Sequence, residues 1–423
     1  MSTDRGVVVI IGQGYVGLPL AVAAATAGWR VIGLDHSNDV VAALNAGRSH
    51  VNDVPDEQLA PLVASDAYRA SADASVVAAA DVIVICVPTP YHNDAPDLSH
   101  VQDAGTEVGR HLTPGTLVIL ESTTYPGTTE ELLQPILEQG SGLRAGTDFH
   151  LVFSPERIDP GSATHGLHNT PKIVGGLTPE GTALATEFYG SFVDTVVPVS
   201  GPKAAEMAKL LENTFRHINI ALVNELAILC QGMDIDVWEV IDAAASKPFG
   251  FMPFYPGPGV GGHCIPVDPL YLSWKVKQFG GSAKFIELAR DVNAAMPAYC
   301  VARVQDLLNT RKRALSGATV LVLGVAYKSD VSDMRESPAI TFIRGLAAKG
   351  VSVVYHDPFV PSVEIDDVWL TSQPLTSELV QDADCVVVLT AHRDVDYAWL
   401  GRSAQLLFDT RNVVPAGPNV HRL

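Results

Sequence analysis

Basic residues are scarce in this sequence, and none of its cysteines forms a CxxC pair. The 423 residues include 28 Lys and Arg against 47 Asp and Glu, which gives a formal charge of −19. A surface this acidic repels nucleic acid and anionic membranes, so neither is an expected partner. Five scattered cysteines argue against a disulfide framework or a structural zinc site and favour a cytoplasmic protein.

Long apolar runs and a targeting segment are also missing. The apolar stretch around Val76–Val87 is broken by Asp81 and is shorter than the roughly 18 residues of a membrane span. The opening MSTDRG lacks the basic and apolar regions of a signal peptide. The composition, 47% hydrophobic and 18% charged, is that of a globular protein, and the length suits about two to three domains.

The start of the chain predicts a βαβ unit. A strand over Val7–Ile11 leads through GQGYVG at Gly12–Gly17 into a helix over Leu18–Ala27, and a second strand, Arg30–Leu34, ends at Asp35. Such glycines let a pyrophosphate approach the amides at a helix N-terminus, and the acid binds ribose hydroxyls while repelling a 2′-phosphate. The unit therefore predicts NAD rather than NADP. The alternative is a packing turn with a solvated Asp35.

Further strands are predicted over Asp81–Val87, Leu117–Leu120 and His150–Phe153. Ligands of doubly wound sheets bind beyond the carboxyl ends of the strands, so Glu121 and its neighbours should face cofactor or substrate. Cys86 is expected in the core instead. The predicted cofactor residues are Gly12, Gly14, Tyr15, Val16, Gly17, Asp35, Pro88, Thr89, Ser122 and Thr123.

The middle of the chain carries a long helical pattern over Lys203–Gly232, with apolar residues at helical spacing. A helix of this length spans roughly 45 Å, enough to connect two domains. Part of its apolar surface is available to a second subunit. Beyond it the βα pattern returns, with strands over Ala318–Leu323 and Val351–Tyr355 around a helix near Pro338–Lys349. The turn GVAYK lacks the full glycine fingerprint, so this half should bind another nucleotide rather than a second NAD.

Two more strands are predicted in this half, over Asp384–Leu389 and Leu406–Phe408.

The segment Tyr255–Pro269, YPGPGVGGHCIPVDP, concentrates glycine and proline before Cys264, at six of the eight preceding positions. So much backbone freedom is costly to order, which favours a loop that approaches a ligand and presents the thiol. The alternative is an ordinary core cysteine.

His263 next to the cysteine allows two other interpretations. One is a metal site of His263, Cys264 and Asp268, but adjacent residues rarely direct both side chains at one ion and no further ligand cluster accompanies them. No metal is therefore expected. The other is a base that activates the thiol.

The ordered motifs GQGYVGLPLA, CVPTP, ESTTYPGTT, SPERIDPG, EMAKLLENTF, GPGVGGHCIPVDP and VAYKSDVSDMRESPA resemble the UDP-glucose/GDP-mannose dehydrogenase family over nearly the whole chain. The resemblance implies an α/β fold with two Rossmann-like doubly wound domains joined by a long central helix. It implies an NAD-binding domain over 1–200, a helical dimerisation region with the cysteine loop over 201–312, and a UDP-sugar-binding domain over 313–423. A homodimer through the central helix is the implied assembly.

The family resemblance also implies the chemistry, a four-electron oxidation of a sugar C6 alcohol to a carboxylate with two NAD. Cys264 would attack the intermediate aldehyde, and the resulting thiohemiacetal would be oxidised to a thioester that water cleaves. Lys209 and Asn213, four apart on one helix face, match the pair that stabilises the oxyanion, a contact worth about 3 kcal/mol. Without the resemblance both would be placed on a solvated helix face.

Three further catalytic roles follow from matching positions. Asp268 matches the acid that manages protons and water, and Thr123 matches a hydroxyl that positions water. Glu156 matches the general base for thioester hydrolysis. Because an ordinary carboxylate is a weak base, Glu156 is expected to need burial to be effective.

Substrate contacts are carried over in the same way. Lys328 matches a phosphate-binding lysine and Arg411 an arginine at the diphosphate or sugar, with surface salt bridges as the alternative. Arg335 is expected to contact the nucleotide or simply to brace the domain. The remaining substrate-binding candidates are Glu156, Arg157, Lys209, Asn213, Lys247, Phe254 and Gly261.

The cysteine loop departs from the glucose-type pattern GGSCFPKD, since this chain has GGHCIPVD. With the KPFGFMPF stretch and SPERIDPG, it resembles the N-acetylhexosamine branch, so UDP-N-acetylglucosamine is the first-choice substrate. UDP-N-acetylmannosamine comes next, and UDP-glucose is an alternative. Glucose-type members borrow an arginine from the neighbouring subunit, and Lys247 is the nearest basic candidate for that contact here.

Two other functions compete with this one. A catalytically silent nucleotide-binding relative would usually have lost at least one of the catalytic residues, which are all present. A two-electron dehydrogenase of the 6-phosphogluconate or hydroxyacyl type would share the first domain and a long helix, but has no need for the cysteine loop.

Overall fold

A computed structural model describes residues 5–158 and 165–423. The chain forms two compact units. The first runs to Glu212 and includes Trp274–Gly281, and the second comprises Asn213–Ser273 and Ser282–Leu423. Within the predicted SPERIDPG motif, Asp159–Gly161 lie outside the described residues. The domain bounds at 200 and 312 stay a prediction.

The first unit is built on a large sheet. Its strands in chain order are β1 Val7–Ile11, β2 Arg30–Leu34, β3 Tyr68–Ser71, β4 Val82–Ile85, β5 Tyr91–His92, β6 Ala95–Pro96, β7 Leu117–Leu120, β8 His150–Phe153, β9 Lys172–Gly176 and β10 Val196–Pro198. Eight of the described strands pair in the order β10-β9-β8-β7-β4-β1-β2-β3, while β5 and β6 form a separate hairpin. The continuous apolar run of β1 is explained because the strand is buried on both faces.

Helices cover both faces of this sheet. They are α1 Gly17–Thr26, α2 Asn38–Asn45, α3 Asp56–Ala64, α4 Ser99–His111, α5 Gln134–Ser141 and α6 Pro179–Gly190, with a 3₁₀ turn at Ala74–Ala79 and a π-helical turn at Thr129–Leu133. Ser37 and Thr178 accept hydrogen bonds from the amides of Val40 and Gly181, and so cap the starts of α2 and α6.

Strand β9 runs against its neighbour β8. Val152 pairs with Gly176 and Phe153 with Gly175 in an antiparallel register, and β10 runs parallel to β9. The first residue of β9, Lys172, therefore lies at the edge where the parallel strands have their carboxyl ends. If the register is continued past the strands, Lys172 falls opposite Glu156.

A long helix, α7 over Pro202–Gly232, begins in the first unit and continues into the second, and its bounds match the prediction closely. The other helices are α8 Val237–Ala245, α9 Asp268–Lys277, α10 Lys284–Thr310, α11 Pro338–Ala347, α12 Ser377–Asp382 and α13 Tyr397–Ser403. No helix in the described ranges is both long and apolar enough to cross a membrane.

The second unit has its own parallel sheet. Its strands are β11 Thr319–Leu323, β12 Ser352–His356, β13 Ser362–Ile365, β14 Val368–Thr371, β15 Cys385–Val388, β16 Leu407–Asp409 and β17 Val420–Arg422. The order is β12-β11-β15-β16-β17, and β13 and β14 form a hairpin. Its main core packs α10 and α11 against the sheet around Phe342, Tyr355 and Phe408.

Candidate active site

The glycine turn after β1 has the geometry of a dinucleotide site. Gly12 has φ +88°, and a Cβ there would lie 2.7 Å from the carbonyl oxygen of Cys86. A Cβ on Gly17 would overlap the carbonyl of Gly12, whereas a Cβ on Gly14 would meet no atom within 4 Å. Gly12 and Gly17 are thus required for packing, and the open side at Gly14 leaves room for a pyrophosphate at the start of α1.

The acid at the end of β2 is tied to the same turn. Asp35 accepts hydrogen bonds at 3.0 Å from the backbone N–H groups of Gln13 and Ser37, and its side chain is 13% exposed. These bonds orient the carboxylate at the carboxyl end of the strand, where a ribose diol binds in this type of domain. The glycine turn and Asp35 together fit NAD.

A buried hydrogen-bond network around Gln13, which the sequence did not reveal, packs against this turn. The fully buried Gln13 donates from Nε2 to the carbonyl of Ile10 at 2.7 Å, and its Oε1 accepts from the Tyr68 hydroxyl at 2.9 Å. Gly33 makes room for both, because a Cβ there would lie 2.4 Å from Gln13 Oε1 and 2.6 Å from the Tyr68 oxygen. Burial, with a smaller contribution from the charge of Asp35, raises the pKa of Tyr68 above its ordinary range.

Hydroxyl groups tie together the loops that follow β4 and β7. Thr89 donates to the carbonyl of Thr123 at 2.7 Å, and Ser122 donates to the carbonyl of Val87 at 2.7 Å. Thr124 differs, since its hydroxyl is buried and has no hydrogen-bond partner. Thr124 is therefore a second threonine candidate beside the predicted Thr123. The other predicted cofactor residues, Pro88, Tyr15 and Val16, lie at the exposed or half-buried edge of this site.

Glu156 and Lys209 lie in the first unit. One carboxylate oxygen of Glu156 accepts the backbone N–H groups of Arg157 at 2.6 Å and Ile158 at 2.7 Å, and the other accepts from Lys172 at 3.2 Å. Burial raises the pKa of Glu156, but Lys172, these amides and Lys209 together lower it below its ordinary value. Contrary to the expectation, burial does not make Glu156 a stronger base, because the effect of its cationic neighbours and of the two amides on its pKa is larger than that of burial.

Lys172 is the main site residue that the sequence did not reveal. Its ammonium group lies 2.5 Å from Glu121 and 3.2 Å from Glu156, with the lysine side chain 3% exposed. Burial disfavours this charge, but the attraction of the two acids is larger and raises the pKa of Lys172. Glu121 also accepts from Tyr189 at 2.7 Å and from the thiol of Cys86 at 3.3 Å, so it belongs to an internal network.

Two predicted substrate residues, Arg157 after β8 and Lys209 on α7, are held within the first unit. The Arg157 guanidinium pairs with both carboxylate oxygens of Glu212, at 3.1 and 2.5 Å, and donates to the carbonyl of Pro171. Arg157 is thus held by an acid rather than presented as an unpaired cation. Lys209 is buried at 7% exposure, which excludes the solvated helix face considered from the sequence alone.

In the second unit the glycine-rich loop packs tightly on the nucleotide half. Gly262 has φ +87°, and a Cβ there would lie 2.8 Å from the Tyr327 ring, while a Cβ on Gly261 would lie 2.8 Å from the Tyr327 Cβ. A Cβ on Gly257 would lie 2.7 Å from the Arg411 guanidinium. These close approaches explain why glycine occupies the positions that lead to Cys264, which is half-buried and not in a disulfide.

Cys264 begins the turn that leads into α9. Its carbonyl accepts the N–H of Asp268 at 2.8 Å, and Asp268 accepts from the side-chain amide of Asn213 at 2.5 Å. Asn213 and Asp268 are both buried, so the solvated-face alternative fails for Asn213 as well. The backbone of Cys264, the acid and the amide are therefore connected by hydrogen bonds within the second unit.

A chain of buried amides anchors the same loop from α7 and α10. The N–H of Gly257 donates to Asn224 Oδ1 at 2.9 Å, Asn224 donates to Asn293 at 2.9 Å, and Asn293 donates to the carbonyl of His217 at 3.2 Å. Burial lowers the pKa of His217 to about 4, so it is neutral at physiological pH.

The predicted nucleotide residues lie at the carboxyl edge of the second sheet. Arg411 follows β16, donates to the carbonyl of Leu389 at 2.7 Å, and has its pKa lowered by burial. Lys328 is half-buried after β11. Arg335 pairs with Asp333 at 2.6 Å, which fits a bracing role. Asp357 directly follows β12 and is buried. It accepts from the backbone N–H groups of Val325 and Ala326 in the turn after β11 and of Phe359 in its own turn.

Lys247 and Phe254 flank the cysteine loop on its upstream side. The Lys247 ammonium lies 4.7 Å from the centre of the Phe249 ring, and Phe254 makes an edge-to-face contact with Phe215 at 5.6 Å. His263 is half-buried. Within 5–158 and 165–423, no group of three or more His, Cys, Asp or Glu side chains is arranged to hold a metal ion.

Comparison with known proteins agrees with this geometry. Residues 7–193 match the NAD binding domain of the UDP-glucose/GDP-mannose dehydrogenase family, 203–295 its central domain, and 321–416 its UDP binding domain. The chain belongs to the UDP-glucose/GDP-mannose dehydrogenase family. It is an NAD-dependent UDP-sugar dehydrogenase.

Similar proteins match from end to end. The chain is 34% identical to the UDP-N-acetyl-D-mannosamine dehydrogenase of Pyrococcus horikoshii, over 97% of this chain and 96% of that protein. It is 35% identical to the UDP-N-acetyl-D-glucosamine 6-dehydrogenase of Pseudomonas aeruginosa, over 96% of each. A solved structure of UDP-D-ManNAc dehydrogenase from P. horikoshii superimposes with a TM-score of 0.89 at 33% identity, over 98% of both chains. The N-acetylhexosamine branch predicted from the motifs is confirmed.

Proposed function

We propose that this protein oxidises the C6 alcohol of UDP-N-acetylglucosamine to the carboxylate, using two NAD per sugar. The observation that carries the proposal is the glycine loop that packs tightly against Tyr327 and leads to Cys264. The Cys264 carbonyl accepts the N–H of Asp268, and the Asp268 carboxylate accepts from Asn213. A dehydrogenase that stopped at the aldehyde would not need a thiol held in this way.

The proposed reaction has four steps. The C6 alcohol first loses a hydride and a proton, which gives the aldehyde. The sulfur of Cys264 bonds to C6 and its proton passes to the carbonyl oxygen, which gives a thiohemiacetal. Loss of a second hydride and a proton gives the thioester. Water then bonds to C6, the C–S bond breaks, and a proton of that water passes to Glu156 as the thiolate leaves. NAD, when bound, accepts both hydrides.

Charges in each unit support these roles. Lys209 is a buried cation on α7, suited to stabilise an oxyanion, and the Asn213 amide has a second N–H besides the one donated to Asp268. Asp35 and the glycine turn hold the dinucleotide. Lys328 and Arg411 supply cations for the diphosphate in an otherwise acidic protein.

The choice of sugar rests on the cysteine-loop sequence and on the names of the relatives. A relative named for UDP-N-acetyl-D-glucosamine and one named for UDP-N-acetyl-D-mannosamine are almost equally similar to this chain. UDP-N-acetylmannosamine is therefore the second candidate substrate.

Counting NADH per sugar tests the proposal. The purified protein is incubated with NAD and each of UDP-N-acetylglucosamine, UDP-N-acetylmannosamine, UDP-N-acetylgalactosamine and UDP-glucose. Two NADH per sugar consumed support the four-electron reaction, one indicates a simple dehydrogenase, and none indicates a silent binding protein. Cys264→Ser should abolish acid formation, while Cys230→Ser, at a buried helical thiol, is the matched control. Acid formation by the Cys264 variant would contradict the thioester route.

We further propose that two copies of the protein form a dimer through the central helix α7, and that the protein is cytoplasmic. Leu211, Leu222, Leu229 and Met233 on and just after α7 are each more than half exposed, which is unusual for large apolar residues of one helix. None of the five cysteines is in a disulfide, as suits a reducing compartment. Sedimentation of wild-type protein and of Leu222→Glu tests the dimer, and cell fractionation tests the location.

A further inference from the structure

Lys172 is a buried cation that the proposed reaction steps do not use. It is the first residue of β9, and only the antiparallel direction of β9 brings it to the carboxyl edge of β7 and β8, where Glu121 and Glu156 follow their strands. A parallel strand in the same place would begin at the opposite edge. The antiparallel direction of β9 thus places Lys172 at the edge of the sheet where ligands bind in this type of domain.

The ammonium group of Lys172 is held between two carboxylates. Its ammonium group bonds Glu121 at 2.5 Å and Glu156 at 3.2 Å, and lies 5.1 Å from the centre of the Tyr189 ring. With 3% of its side chain exposed, it has no surface to offer a diphosphate or a sugar. A direct role in substrate binding is therefore a poor fit, and a role through Glu156 is the better one.

Glu121 is the second acid bonded to the ammonium group of Lys172. Its first carboxylate oxygen accepts from Lys172 and from the Tyr189 hydroxyl, and its second accepts from the Cys86 thiol. Three donors from three separate elements fix this carboxylate. Because the side chain of Glu121 is wholly buried, it serves as an internal counter-charge and not as a surface acid.

The acceptor positions of Glu156 can be counted in the same way. Its Oε1 accepts two backbone amides, from Arg157 and Ile158, which uses both lone pairs of that oxygen. Among the residues that the structure describes, Oε2 accepts one hydrogen bond, from Lys172, which leaves its second lone pair for another donor. The side chain of Glu156 is 14% exposed, so the carboxylate is not wholly sealed from solvent.

We propose that Lys172 is a positioning residue that, braced by Glu121, orients Glu156 so that the remaining lone pair of Oε2 receives the proton of the hydrolytic water. This rests on the proposed role of Glu156 in thioester hydrolysis and deepens it. A buried ion pair contributes little net stability compared with an apolar replacement, so orientation of a functional carboxylate is a reason for its presence.

The charges around Glu156 predict the pH behaviour. Burial raises the pKa of its carboxyl, but Lys172, Lys209 and the amides of Arg157 and Ile158 together lower it. The charge of Glu156 in turn raises the pKa of Glu121, and Cys86 and Tyr189 belong to the same cluster. In wild type the carboxylate is therefore ionised down to low pH, and hydrolysis should slow only below that range. Without the Lys172 charge the pKa of Glu156 rises, and the acid limb of hydrolysis moves to higher pH.

The test separates hydrolysis from the two oxidations in single turnovers. The enzyme is mixed with NAD and UDP-N-acetylglucosamine, or the panel sugar that proves active, across a pH series. NADH reports the oxidations, and mass spectrometry of the Cys264 peptide reports the covalent acyl group. For Lys172→Met we expect accumulation of acyl-enzyme and an acid limb raised by about one pH unit or more, which is about tenfold in rate on that limb. Lys172→Arg should restore most of the wild-type profile.

Two further variants keep the outcome decisive. If Lys172→Met fails to fold, Lys172→Met with Glu121→Gln removes both interior charges together and is read in the same assay. Lys203→Met removes a lysine from an exposed pair with Glu130 and is the control. Equal slowing of oxidation and hydrolysis, or an unmoved acid limb, would overturn the positioning role. Full hydrolysis by Glu156→Gln would instead overturn the proposed function of Glu156 itself.

Discussion

Gly262→Ala is the substitution for which the structure makes the sharpest quantitative prediction. The backbone of Gly262 is left-handed, with φ +87°, and its N–H donates to the carbonyl of Arg335 at 3.0 Å. An added Cβ would lie 2.8 and 3.0 Å from the Cε2 and Cδ2 atoms of Tyr327. Real Cβ atoms do not approach an aromatic ring so closely, so either the loop or the ring has to move.

The two costs can be estimated separately. A left-handed conformation costs an L-residue about 1–2 kcal/mol, and overpacking against a buried neighbour costs about 1–3 kcal/mol. A loss of about 3 kcal/mol corresponds to a midpoint lowered by roughly 6–12 °C for a unit of this size. Because Cys264 lies two residues further on, the displaced loop should also change the reactivity of its thiol.

Thermal unfolding and thiol alkylation measure both effects. We expect Gly262→Ala to unfold earlier, to react with iodoacetamide at a changed rate, and to lose most acid formation while it still binds NAD. Gly232→Ala is the control in the same unit, since a Cβ there meets no atom within 4 Å. If the Gly262 variant matched this control in midpoint and in alkylation rate, the close packing would not be what positions the cysteine.

Three other substitutions have expected outcomes. Thr124→Val removes a buried hydroxyl that has no partner, so the unfolding midpoint should hold while hydrolysis slows; Thr123→Val in the same assay shows which threonine positions water. Tyr68→Phe leaves Gln13 without its donor, which costs about 1–3 kcal/mol and should raise the KM for NAD more than that for sugar in initial-rate kinetics. Asn213→Ala strips a buried carboxylate of its donor and should lower kcat and the unfolding midpoint, with unchanged values contradicting the assignment.

Features that depend on local sequence were predicted well. The first strand, the glycine turn, α7 and the four strands predicted in the second half all appear within two residues of their expected bounds. Local composition determines each of them, since a continuous apolar run marks a buried strand and a glycine marks a turn. The glycine-rich loop before Cys264 belongs to this group, because its many glycines and prolines mark irregular backbone.

Features that depend on distant pairing were not predicted. The reversed strand β9, the hairpin β13–β14 and the 27-residue helix α10 were absent from the expectations. The antiparallel direction of β9 cannot be read from KIVGG, which is equally typical of a parallel strand. The buried state of Lys209 and Asn213 was missed for a similar reason, because helical spacing shows which residues share a face but not what covers it.

Lys172 shows the consequence for the site. Its partners Glu121 and Glu156 lie 51 and 16 residues away in sequence, and neither spacing forms a motif. Charged residues are rarely buried without partners, so a lysine in an apolar strand indicates a buried ion pair. The sequence does not show which acids form that pair. The acids become identifiable only when the register of β8 and β9 is known, because that register places Lys172 opposite Glu156. Motif residues thus mark a candidate site, whereas strand pairing determines which charged partner one of them, Glu156, has in the folded chain.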